Sequence, residues 1–339
     1  MARILVTGAS GFIGFHVVRA LVRKGHDVTC LARRQSNFDR LAGLDFRRAE
    51  GDVRDADSLV RAVAGQDAVY HIAGLVKAAR AEQLYEVNCE GAANIARACA
   101  AVTTPPVLML MSSLAAVGPS TPKRPRLESD PPAPVSNYGR SKLAGEQEAR
   151  KWAAAVPITI LRPPIVFGEG DRATLEMFRP IARSGIHVVP SYRTHRASLL
   201  HAEDLATAIL LAAECGRRIV RDTADLKEMA KGCYFLSAER DVTFPELGRM
   251  MGAALGRRWT FVLPLTHFGV WVFGLSAEAI SKLAGKPWFF SMDKSREARA
   301  GSWTCSPAAA KRDFQFAVAK PLEDRMRQTV DWYREQHWL

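Results

Sequence analysis

Within its first two dozen residues the chain runs strand, glycine turn, helix, and no other feature narrows its fold as much. Arg3-Ile4-Leu5-Val6 has the character of a buried strand, and Thr7-Gly8-Ala9-Ser10-Gly11-Phe12-Ile13-Gly14 follows it directly. Phe15, Val17, Val18, Leu21 and Val22 then recur at helical spacing. Glycine lets a backbone turn tightly and approach a ligand closely. The first N–H groups of a helix have no intrahelical acceptor and attract an anion. The order therefore suits a pyrophosphate, with Gly8, Gly11, Phe12, Ile13 and Gly14 as its cradle. A generic tight turn is the plainer reading of the glycines alone. The strand before them and the helix after them favour the phosphate site.

The alternation continues. Val28–Ala32, Phe46–Glu50, Ala68–Ala73, Val107–Met111 and Ile158–Leu161 read as strands, with helical patterns such as Leu59–Val63 and Tyr85–Ala100 between them. This predicts an α/β fold, a doubly wound parallel sheet of the Rossmann type covered on both faces. Ligands of such sheets bind beyond the carboxyl ends of the strands. The 339 residues allow one large domain and a smaller one. Residues 1–165, rejoined at about 197–215, are read as the dinucleotide-binding domain. Residues 166–196 and 216–305 are read as a smaller mixed substrate domain, and 306–339 as a C-terminal helical segment. Leu322, Met326, Val330 and Tyr333 give that segment one apolar face. Prolines at 119, 122, 125, 131, 132 and 134 make the stretch between them a loop.

The formal net charge of +12 suits anionic partners of several kinds. The basic residues are spread along the chain, however, and no nucleic-acid module is present, so a dispersed basic surface is the first reading and no nucleic-acid partner is expected. Six cysteines form no C-x-x-C pair, which suggests neither a metal site nor a disulfide framework. Reduced thiols suit the cytoplasm. The opening strand leaves no room for a signal peptide, and no apolar run of spanning length occurs. The expected location is cytoplasmic, with a membrane-peripheral one as the alternative.

Chemistry enters at Tyr138-Gly139-Arg140-Ser141-Lys142. On a helix, Tyr138 and Lys142 lie one turn apart on one face. A free phenol, with a pKa of about 10, is too weakly acidic to serve as a base at neutral pH. A nearby ammonium would favour the phenolate. Tyr138 could then take a proton from an alcohol or give one to a ketone. A surface Tyr and Lys on an amphipathic helix is the bland alternative. Ser112 and Ser113 follow the fifth strand at its carboxyl end, where a hydroxyl can donate to a developing alkoxide. Either could instead cap the next segment. Ser113 is favoured as the catalytic serine and Ser112 as structural.

Taken together, these residues resemble the extended branch of the short-chain dehydrogenase/reductase superfamily. The likeness covers residues 1 to about 215. It runs through the glycine turn, Gly51-Asp52 with Asp55, His71-Ile72-Ala73-Gly74, and Asn88 with Gly91 and Asn94. It ends with Ser112-Ser113, Tyr138 to Lys142, and Arg162-Pro163-Pro164-Ile165-Val166-Phe167-Gly168. The resemblance implies a nicotinamide cofactor, with Asp52 and Val53 beside the adenine and Ala73 and Gly74 along the dinucleotide. It also implies Pro163 to Val166 near the nicotinamide, Lys142 on the ribose, and a mainly structural role for Asn88. Homodimers are common in the family, and a homodimer is expected here by that analogy.

An NAD site usually ends its second strand with an acid on the ribose. Here the strand ends Leu31-Ala32-Arg33-Arg34. Paired guanidinium groups suit a 2′-phosphate, so NADP(H) is expected in preference to NAD(H), with Arg33 the principal contact and Arg34 beside it. Two solvated loop arginines are the alternative. Sugar-nucleotide members of the branch often carry Asn where Ile165 stands and Arg where Ala197 stands, with Arg196 next door here. Both departures weaken a sugar-nucleotide substrate. The dense apolar stretch from about 261 to 290 points to an apolar pocket or a membrane surface. Ordinary core is its plain reading. The arrangement is nearer in feel to the 3β-hydroxysteroid dehydrogenase and dihydroflavonol reductase-like groups.

The reading is thus an NAD(P)H-dependent oxidoreductase acting on a small apolar secondary alcohol or ketone that is steroid-, lipid- or flavonoid-like. An NAD-dependent nucleotide-sugar epimerase or dehydratase, and a non-catalytic NADP-binding redox sensor or accessory module, are the alternatives.

Overall fold

The computed structural model describes residues 1–121, 123–189, 195–221, 223–266 and 292–339. Its centre is a parallel sheet. Five of its strands, with β6 at their side, are β1 (Arg3–Thr7), β2 (Asp27–Ala32), β3 (Arg47–Glu50), β4 (Ala68–His71), β5 (Val107–Met111) and β6 (Ile158–Arg162). A seventh strand, Cys233–Phe235, completes the order seventh–β6–β5–β4–β1–β2–β3. The order reverses at β1, and the crevice for a ligand opens there, beyond the carboxyl ends of β1 and β4.

Alternation across the pleat explains why the inner strands are largely apolar. Ile4 and Val6 face the core under α1 (Phe12–Arg23) and the helix Ala202–Cys215. Leu5 faces the opposite core, under α2 (Ala56–Val63) and α4 (Gly91–Ala100). A strand buried on both faces needs apolar residues at every position. A short helix α3 (Ala81–Tyr85) and a π-turn over Glu86–Glu90 lead into α4. Asp55 caps α2 by accepting from the amides of Asp57 and Ser58, which accounts for that acid without any ligand.

A second core holds the smaller lobe. Phe167, Leu175, Phe178, Ile181, Leu199, Leu247 and Met251 pack with Leu322, Met326, Val330 and Tyr333 of the C-terminal helix Leu322–Glu335. The 306–339 segment is therefore divided. Its last helix completes the smaller lobe, while Phe314 and Phe316 pack against the main sheet's core.

Sequence and structure part at the seventh strand. It comes from inside the 216–305 stretch that the sequence assigns to the substrate domain, and it pairs in parallel with β6. Three residues are too few to show a period. Most of the apolar stretch from 261 to 290 lies outside the described residues. Its opening residues, Phe261–Pro264, pair in parallel with Ile186–Val189, and Phe261 and Leu263 are exposed. All six cysteines are unpaired, and four of them are buried. Among the described residues no helix is long and apolar enough to cross a membrane.

Candidate active site

The opening turn is built for close approach. Gly8 has φ +72°, and a Cβ on it would lie 2.7 Å from the amide nitrogen of Ala73. A Cβ on Gly14 would lie 2.1 Å from the carbonyl oxygen of Gly8. No side chain caps the start of α1 at Gly11, so the amides of Phe12, Ile13 and Gly14 remain available to an anion. Thr7 Oγ1 accepts from the Ala73 amide (3.2 Å) and lies 3.0 Å from His71 Nδ1, locking the ends of β1 and β4 side by side. A cradle that tolerates no side chain and ends in open amides fits a dinucleotide's pyrophosphate.

The other end of the crevice is charged. Arg33 and Arg34 are exposed just past β2 and share an open groove of about 620 Å³ with Asp52, Arg54 and Arg61. Arg34 pairs with Glu50 at 3.2 Å. Arg54 holds the Asp52 carboxylate at 2.8 Å, and this pairing keeps Asp52 below the usual carboxylate range. Val53 is buried against Gly91, and its carbonyl accepts from Asn94.

The catalytic candidates stand on α5 (Asn137–Arg150), whose N-terminus meets the carboxyl end of β5. Tyr138 and Lys142 are both buried, at 9% and 8% exposure. Burial raises the Tyr138 phenol above its ordinary value. The hydrogen bond from Ser113 and the charge of Lys294 act in the opposite direction. Ser113 thus sits beside the phenol while its oxygen also caps the short turn Leu114–Ala116, accepting from the Ala115 amide. The capping role is present, and the same hydroxyl stands beside the phenol. Ser112 instead donates to Glu146 at 2.5 Å. Glu146 in turn receives a buried bidentate pair from Arg162. Pro163 supplies the carbonyl that accepts from the Leu114 amide, and Ile13 and Val166 pack half-buried against the core.

Lys142 donates to the Met111 carbonyl at 2.9 Å and lies against Gly74. Burial brings its ammonium down to about 8, with Glu146 resisting that fall. The positive charge bearing on the phenol here is that of Lys294, which lies 5.6 Å from the ring centroid. Asn88 bridges Leu75 and Ser141, tying the loop after β4 to α5.

The sequence reading passed over the helix Met292–Arg299. Asp293 accepts from the amides of Asn137 (2.7 Å) and Tyr138 (3.0 Å), and Glu297 accepts from Ser136 Oγ (2.6 Å). Ser136 is itself the cap of α5. The available signal was an acid–base run, Asp293-Lys294 with Glu297, one turn long. Such a run ordinarily marks a solvated face. Around the phenol, Leu84 and Ala115 are buried and Leu75, Ala78 and Trp303 are half-buried, giving an apolar wall. At the positions where sugar-nucleotide members differ, Ile165 is 37% exposed and Ala197 is buried, with Arg196 exposed.

Comparison with known proteins identifies the family. The model of the NAD-dependent epimerase/dehydratase family matches residues 4–223. The chain is 33% identical over 336 residues to a ceramide reductase of Caulobacter vibrioides, covering 99% of this chain and 96% of that one. It is 27% identical to human 3 beta-hydroxysteroid dehydrogenase type 7, covering 97% and 94%. Among solved structures, a dTDP-glucose 4,6-dehydratase from Streptomyces venezuelae with NAD bound superposes with a TM-score of 0.78 at 22% identity, over 99% and 98% of the two chains. That last likeness is one of fold.

Proposed function

The chain belongs to the NAD-dependent epimerase/dehydratase family, and from that premise we propose that it is an NADP(H)-preferring oxidoreductase of apolar secondary alcohols and ketones on a lipid- or steroid-like frame. The observation that carries this reading is a buried phenol, Tyr138, with a serine hydroxyl beside it and an apolar wall around it. The named substrate classes of the ceramide and steroid relatives support an apolar substrate.

When bound, the nicotinamide supplies or accepts the hydride. The protein's residues do the rest. Ser113 donates a hydrogen bond to the substrate oxygen, and Tyr138 Oη gives that oxygen a proton in reduction or takes it in oxidation. Lys142 has three donors, of which Met111 takes one. The others are free to hold ribose hydroxyls. Arg33 would meet a 2′-phosphate, for which an acid at the end of β2 would be repulsive. The apolar wall excludes water and strengthens each of these contacts.

NADPH-linked reduction of a panel of long-chain ketones and keto-steroids, run beside UDP- and dTDP-sugars, tests the reading. Tyr138→Phe should lower turnover by about 10²–10⁴-fold and leave dinucleotide binding intact. Wild-type turnover in that variant, or conversion of nucleotide sugars with no net use of NADPH, overturns it.

A further inference from the structure

The helix Met292–Arg299 docks on the first turn of α5 through its acidic side chains. Asp293 takes the amides of Asn137 and Tyr138, and Glu297 takes the capping hydroxyl of Ser136. Lys294, on the same helix, is held by Glu297 at 2.7 Å and lies 5.6 Å from the centroid of the Tyr138 ring. Trp303 donates its indole N–H to the Glu297 carbonyl at 2.9 Å and packs near the phenol. A contact that served only to cap a helix would need the carboxylate alone. Here a cation is placed over the ring as well.

We propose that Lys294 is a positioning residue for Tyr138, a second ammonium that sets the charge state of the phenol while Asp293 and Glu297 hold the helix that carries it. The inference rests on the reading of Tyr138 as the proton-transfer group. It adds a cation from outside the Tyr–Lys pair of α5. Lys142 is turned to Met111, whereas Lys294 is among the groups that favour the phenolate.

Among the described residues, three elements bring polar or charged groups toward the phenol. The turn after β5 brings Ser113, and α5 brings Lys142. The helix Met292–Arg299 brings Lys294 and Glu297, with Asp293 on the backbone amides and Arg296 3.4 Å from Asp293. Leu75, Ala78, Leu84 and Trp303 bring no charge. Lys294 and Glu297, paired at 2.7 Å, therefore act on the phenol in opposite senses. Taking the 5.6 Å to the ring centroid as the separation, a full charge at an effective dielectric near 20 moves a neighbour's titration by about two pH units, and the Glu297 counterion at 2.7 Å with the 37% exposure of Lys294 reduces that to about one.

The test is the pH profile of alcohol oxidation, whose rising limb follows loss of the Tyr138 proton. Lys294→Met should move that limb upward by about one pH unit. Turnover then falls about tenfold below the limb and is unchanged on the plateau. Lys294→Arg should keep the wild-type limb. Asp293→Asn keeps the cation and one amide acceptor and should move the limb much less than Lys294→Met does. A limb moved as far by Asp293→Asn as by Lys294→Met overturns the assignment. Tyrosinate absorbance gives a readout independent of turnover. The wild-type titration minus that of Tyr138→Phe isolates this phenol, and the same difference in a Lys294→Met background should titrate higher. An unmoved titration in folded Lys294→Met also overturns the proposal. Should the Met variant fail to fold, Lys294→Gln takes its place, with the same outcomes expected. If Tyr138→Phe retains turnover, the functional reading fails while the absorbance experiment still decides this one.

Discussion

Replacing Gly8 with alanine isolates the physical basis of the cofactor cradle. Two costs fall on this position. The backbone is left-handed, at φ +72°, which costs an L-residue about 1–2 kcal/mol. The added methyl would also stand 2.7 Å from the Ala73 nitrogen and 2.8 Å from its Cα, both backbone atoms of the segment that follows β4. Relief requires the turn to move away from β4, and overpacking of this kind costs about 1–3 kcal/mol more. Gly8→Ala should therefore destabilise by about 2–5 kcal/mol in all. The same shift displaces the amides that face the pyrophosphate, so dinucleotide affinity should fall at least about tenfold. Gly25 supplies the control. Its φ is +75°, yet nothing lies within 4 Å of a Cβ built there. Gly25→Ala should cost only the backbone term, about 1–2 kcal/mol, with affinity unchanged. Urea unfolding and calorimetric titration with NADPH on both variants give the two numbers. Wild-type affinity in Gly8→Ala, or equal losses of affinity in both variants, would refute the argument from close approach.

Arg33→Ser should raise the KM for NADPH by about 10–100-fold, the worth of a charge-assisted hydrogen bond, while NADH kinetics stay as they were; equal effects on both cofactors sink the 2′-phosphate assignment. His16 gives a prediction for pH. Buried beneath the smaller lobe, it is brought from 6.5 down to about 4, mainly by desolvation. The unfolded chain takes up the His16 proton below pH 6.5 and the folded protein takes it up only near 4. Its contribution of about 3 kcal/mol is thus complete above pH 6.5 and lost as pH falls through that window. Burial of His71 acts in the same direction. His16→Gln should flatten the fall in urea midpoint between pH 6.5 and 4, and an unchanged slope would count against the argument.

The parallel sheet was legible because its strands are buried on both faces. Ile4, Leu5 and Val6 carry the two cores without a polar interruption, and Val107–Met111 falls where the apolar run places it. The edges were harder to read, for a physical reason. Strand β3 is Arg47-Arg48-Ala49-Glu50, an outer strand with three exposed positions, so its place in the alternation marks it and an apolar face does not. The seventh strand is three residues long and is recruited by pairing with β6. Its signal lies in a partner distant along the chain, which a local period cannot carry. The division of the C-terminal segment between two cores has the same origin.

The site divides along the same line. Residues whose role depends on their own backbone, such as Gly8 and Gly14, can be recognised from spacing, because the steric demand is local. Tyr138 and Lys142 are likewise placed on one face of a helix by the period alone. What spacing cannot say is which way a flexible amine points once the chain has folded. A lysine has four rotatable bonds, and the direction of its charge is decided by the acceptor it finds. Lys142 finds the Met111 carbonyl at 2.9 Å, and the Glu146–Arg162–Ser112 cluster behind it is already satisfied by its own hydrogen bonds. The phenol, left in an apolar wall, meets its cation from the far end of the sequence, on a short helix anchored through Asp293 and Glu297. A local motif fixes where a reactive group stands. The field acting on it depends on whatever the fold brings alongside, and here the helix Met292–Arg299 sets the Lys294 ammonium 5.6 Å from the phenol ring.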